Sequence, residues 1–129
     1  MLGASYLFNN AQNMANSQYQ ARKQALIKKN YDEIYSHELA HKMAGGHLAG
    51  AIVIERNGEG IPFAGHVAIK MPSLNPNNPK QTINDADTVI RAAMAPSDPS
   101  SQDYKVAAQA NQIKSQAQNL QNKRLNYLA

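Results

Sequence analysis

Midway along the chain, the dipeptide Asn57-Gly58 parts two stretches, Leu48 to Arg56 and Ile61 to Met71, that are rich in β-branched and apolar residues. Asn-Gly between such stretches is the strongest short-range hairpin signal, because a positive-φ turn matches the twist of the strands it joins. A two-residue turn sets Arg56 opposite Glu59, Ile54 opposite Ile61, Ile52 opposite Phe63 and Ala49 opposite His66. In that register Leu48, Ile52, Ile54, Ile61, Phe63 and Val67 make a core face. The other face carries Ala49, Ala51, Ala64, His66 and Ala68, small residues around a histidine.

The rest of the chain reads as helix. Asn9 to Lys29 is polar and helix-permissive, with Ala21, Ala25 and Leu26 as a weak apolar stripe, and Tyr31 to Ala44 forms a second stretch. Gly45-Gly46 then supplies the positive-φ residue that commonly ends a helix. Three Pro and three Asn within Pro72 to Pro79 mark a loop. Asn78-Pro79 suits an N-cap and first helical position, ahead of Ile83, Ala86, Ile90 and Ala93 on one face and a stop at Pro96. Ser100 with Asp103 reads as a capping box for a last helix running to about Tyr127. Its residues Val106, Ala110, Ile113, Ala117 and Leu120 fall at 4-3-4-3 spacing and form a seam that either this domain or a partner must cover. The expected fold is α+β and mostly helical, with helices packed on one antiparallel hairpin. A polar helical segment, 1–29, precedes a minimal domain, 30–129.

Composition narrows the chemistry. The 129 residues contain no Cys, which excludes disulfides, a thiolate nucleophile and a Cys-rich structural zinc site. Any metal must be held by carboxylates and the four histidines. Thirteen Lys and Arg are spread among nine Asp and Glu without a long block of one sign, so nothing points to nucleic acid. No apolar run approaches the roughly 20 residues of a membrane helix. The first residues lack the pattern of a signal peptide, which favours the cytoplasm.

Against that background Ser36-His37-Glu38-Leu39-Ala40-His41 stands out, because it contains H-E-x-x-H. On a helix, positions i and i+4 share a face, so both imidazoles reach one Zn²⁺ while Glu38 acts as general base on a water. A catalytic zinc needs a third protein ligand. His47 has the metzincin distance from His37, but Ala44 stands where the turn glycine belongs. His66, on the second strand among alanines, is the better third ligand. Asp103 is either a helix cap or a group that orients a ligand imidazole. Tyr31, Tyr35, Arg91 and Tyr104 are candidate oxyanion donors.

The chain resembles the SprA-related family of bacteria, which carries a metallopeptidase label. The resemblance rests on His37-Glu38-Leu39-Ala40-His41 with Gly45-Gly46, then Ala64-Gly65-His66-Val67-Ala68-Ile69, then Asn78-Pro79-Lys80-Gln81-Thr82-Ile83. It continues through Ala95-Pro96-Ser97-Asp98-Pro99-Ser100-Ser101-Gln102-Asp103 and Val106-Ala107. Many members carry Glu where His66 stands, and both residue types ligate zinc. The resemblance implies a zincin-like fold, a zinc ion on His37, His41 and His66, and a peptide or protein substrate. A second reading is a zinc-stabilised interaction module without turnover, whose C-terminal helix meets a partner or another copy of the chain.

Overall fold

The computed structural model describes residues 2–128. In chain order it contains helix α1 (Leu2–Gly45), one 3-10 turn (Gly46–Leu48), strands β1 (Ala49–Arg56) and β2 (Pro62–Ile69), and helices α2 (Pro79–Ala93) and α3 (Ser101–Leu128). The two strands form one antiparallel hairpin, so the fold is α+β and mostly helical. No described helix is long and apolar enough to cross a membrane.

The two N-terminal helices expected from sequence are one. No Pro or Gly interrupts Ala4 to Ala44, and Asn30, where a break was expected, stays helical. Its side-chain Nδ2 donates to the Pro62 carbonyl at 2.9 Å, so the residue gains a tertiary partner without leaving the helix. The chain divides into two compact units, one made of Met1–Ile34 with Ile54–Ala64 and the other of Tyr35–Val53 with Gly65–Ala129.

The first unit holds the hairpin tip, and the turn differs from the expected one. Gly60 N donates to Asn57 O and Asn57 N donates to Ile61 O, both at 3.0 Å. Gly60, not Gly58, has the positive φ of 80°. Three residues, Gly58-Glu59-Gly60, therefore form the loop, as a β-turn followed by a left-handed glycine. The Asn57 side chain favours this form, since its Oδ1 accepts from Glu59 N at 2.9 Å and Ile61 N at 3.0 Å. Arg56 consequently lies across from Pro62, not Glu59. Pro62 is buried, whereas Phe63, expected in the core, is 62% exposed.

In the second unit, Lys70 N donates to Leu48 O at 2.8 Å at the root of the hairpin. That bond brings Ala49 near Ile69, three residues beyond the His66 expected opposite it. The alternation of burial along β2 also breaks at Ala64 and Gly65, which are both half-buried. Beyond that break Val67 and Ile69 are half-buried and His66 is exposed.

The core of this unit lies between α2 and α3. Asn78 caps α2, its side chain accepting from Gln81 N at 3.2 Å, with Pro79 at the first helical position. The buried stripe of α2 is Thr82, Ala86, Val89, Ala92 and Ala93. It lies slightly rotated from the expected stripe, in which Ile83 and Ile90 are only half-buried. On α3, Ala110 and Ala117 are fully buried and Val106, Ile113 and Leu120 partly so, which covers the expected seam within the unit. Alanines on both helices let the backbones approach closely, and Val89 with Leu48 and Ala110 forms the centre of the core. Gly45 serves close packing too. Its own backbone is right-handed helical, and the positive φ of 54° belongs to Gly46.

Candidate metal site

The last turns of α1 carry His37, Glu38 and His41, and the helical repeat brings both imidazoles to one side. The two Nε2 atoms lie 3.1 Å apart and the rings meet edge to face. Each of the three residues offers a donor atom within 4.8 Å of the others, so the group can hold a metal ion. Glu38 and His41 are buried and His37 is half-buried.

The orientation of His41 is set from behind. Its Nδ1 lies 2.7 Å from the Ala92 carbonyl oxygen, and because a carbonyl only accepts, Nδ1 carries the proton and donates. In the neutral ring the Nε2 lone pair then faces forward, the tautomer required of a metal ligand. Ala92 belongs to the last turn of α2, where its carbonyl also accepts from Ala95 N at 3.4 Å, so the imidazole adds a second donor at this helix end.

Asp103 approaches from the first turn of α3. Its Oδ2 accepts from Ser100 N at 2.8 Å while Ser100 Oγ accepts from Asp103 N at 3.1 Å, the reciprocal capping expected from sequence. The same Oδ2 lies 3.4 Å from His37 Nε2 and 3.3 Å from His41 Nε2. Capping the helix and facing the imidazoles are thus simultaneous roles of one oxygen.

These groups open onto a cavity of about 380 Å³ whose wall also includes Gly65, His66, Val67 and Gln102. His66 is exposed and stands on the strand side of this cavity, outside the 4.8 Å group. His47 is exposed in the 3-10 turn and lines a separate cavity with Lys70, Thr82 and Asp85. Of the candidate oxyanion donors, Tyr35, Arg91 and Tyr104 are not on the wall of the metal-site cavity, and Arg91 donates to Thr88 Oγ1 at 3.2 Å. Tyr31 belongs to the other unit, its ring 5.7 Å from the Arg56 guanidinium carbon. Gln102, which precedes Asp103 in the first turn of α3, also reaches the wall. Its sequence position gives it no role beyond the motif that it shares with Asp103.

The sequence model of the SprA-related family matches residues 7–129. No curated protein and no solved structure matches the chain.

Proposed function

The chain belongs to the SprA-related family, and we propose that it is a zinc-dependent peptidase in which His37 and His41 hold the metal and Glu38 is the general base. One observation carries the reading: His41 Nδ1 is anchored on the Ala92 carbonyl while its Nε2 lies 3.1 Å from that of His37. Two nitrogens converge, and one has its tautomer fixed. The donor set suits zinc, which takes imidazole nitrogen and carboxylate oxygen in small tetrahedral sites. Zinc, when bound, supplies Lewis-acid polarisation of a carbonyl and of a water molecule.

The chain's own groups do the proton transfers. Glu38 follows His37 in sequence, so its carboxylate lies beside the imidazoles without replacing either. It is buried and lines the cavity. It accepts a proton from the attacking water and delivers it to the departing amine as the peptide bond breaks. The hairpin's strand β2, whose Gly65, His66 and Val67 line the same cavity, offers backbone along which an extended peptide can lie.

The test is a matched pair of measurements on the full chain. Wild-type protein should bind one zinc ion and cleave an unfolded protein substrate. Glu38→Gln should retain the zinc and the thermal transition while turnover falls by about 10²–10⁴-fold, the usual contribution of a general base. Unchanged turnover in Glu38→Gln would refute the mechanism. Zinc uptake by a wild type that cleaves nothing would instead leave the interaction module.

A further inference from the structure

We propose that Asp103 is the third metal ligand of this site, in place of the His66 expected from sequence; the inference rests on the zinc reading above. The argument is one of distances. A tetrahedral ion with bonds of about 2.0–2.1 Å holds its donors about 3.3–3.4 Å apart along each edge. His37 Nε2, His41 Nε2 and Asp103 Oδ2 form a triangle with sides of 3.1, 3.3 and 3.4 Å. That triangle is the size of one face of a zinc tetrahedron. His66 lines the same cavity from β2.

Two further features favour Asp103. Its side chain is 16% exposed and its position is held by the reciprocal bonds with Ser100, so the oxygen is oriented in advance. A carboxylate oxygen has lone pairs for both an N–H donor and a metal, and capping does not consume its capacity. Charge argues the same way. Two neutral imidazoles and one carboxylate leave a divalent ion with one net positive charge, whereas three imidazoles leave two in a partly buried cavity. A zinc held by these three residues would keep one position for water, as a catalytic site requires.

The test uses cobalt(II) as a spectroscopic substitute for zinc in the full chain, which has no cysteine of its own. Asp103→Cys should give a thiolate-to-cobalt charge-transfer band in the near ultraviolet, which appears only if the substituted side chain touches the metal. His66→Cys should give none. Asp103→Asn should lose more than about 100-fold in zinc affinity, beyond the 10–100-fold typical of removing an outer hydrogen-bond partner. A charge-transfer band from His66→Cys alone, or from neither variant while wild type binds cobalt, overturns the assignment of Asp103. Failure of wild type to take up any metal overturns the zinc reading itself, so the two failures are distinguishable.

Discussion

Gly45→Ala tests how closely the end of α1 is packed against the hairpin root and α2. A methyl at this position would lie 2.9 Å from Ala49 Cβ, 3.0 Å from Ile69 Cδ1 and 3.5 Å from Ala92 Cβ. Ordinary carbon contacts are about 3.5–4.0 Å, so the overlap with Ala49 is roughly 0.6–1.1 Å. Ile69 can turn its terminal methyl aside, but Ala49 has no rotamer to change, and the strand root must shift. Overpacking of this kind costs about 1–3 kcal/mol. Against it stands a gain in helix propensity of at most about 1 kcal/mol, reduced because Gly45 is the last helical residue. The expected net effect is a loss of about 1–2 kcal/mol, or about 3–10 °C in Tm for a chain of this size. Thermal unfolding followed by circular dichroism measures it. Adding Ala49→Gly should recover part of the loss, because the overlapping methyl is then gone. An unchanged or raised Tm in Gly45→Ala, or no recovery in the double variant, would refute the reasoning.

Two further substitutions test the packing that holds α2 and α3. Thr82 is buried, its hydroxyl accepting from Asn75 N at 2.9 Å and donating to Ser73 O at 3.1 Å; Thr82→Val should cost about 1–3 kcal/mol in a urea titration by leaving both backbone groups without their partner, and a midpoint equal to wild type would contradict this role. Val89 is fully buried at the core centre; Val89→Ala should cost about 2–3 kcal/mol from two lost methyl groups and the resulting cavity, and a loss below about 0.5 kcal/mol by the same titration would mean that the core refills without strain.

Local patterns made much of the fold legible. The capping box Ser100/Asp103, the Asn78-Pro79 helix start and the seam on α3 all follow from side chains acting within a few residues of themselves. The hairpin was legible in kind but not in register. Asn57-Gly58-Glu59-Gly60 contains two glycines, and a two-residue turn uses the first whereas the turn adopted uses the second. Period-two patterning alone does not separate them, because burial along β2 does not alternate strictly, Ala64 and Gly65 both being half-buried. The single α1 helix was missed for a different reason: Asn30 is a poor helix former alone, and its bond to the Pro62 carbonyl comes from far along the chain.

The same division applies to the site. His37 and His41 were legible together because a helix puts i and i+4 on one face, and Glu38 came with them. Asp103 was legible as a cap and not as a neighbour of those imidazoles, because its approach depends on how α2 and α3 pack through alanines that carry no distinctive signal. The Ala92 carbonyl was not legible at all, since a backbone oxygen looks alike at every position. These three contributions share a physical origin. The Ala92 oxygen belongs to the C-terminal turn of α2, Asp103 to the N-terminal turn of α3, and the histidines to the closing turns of α1. Helix ends are where backbone groups lack intrahelical partners and where side chains gain most by supplying them. A chain too short to enclose a deep pocket can therefore assemble donors by bringing such ends together. His41 completes the end of α2 on one ring nitrogen and faces His37 with the other, while Asp103 completes the start of α3 and faces both. Capping and site geometry are consequently one set of contacts.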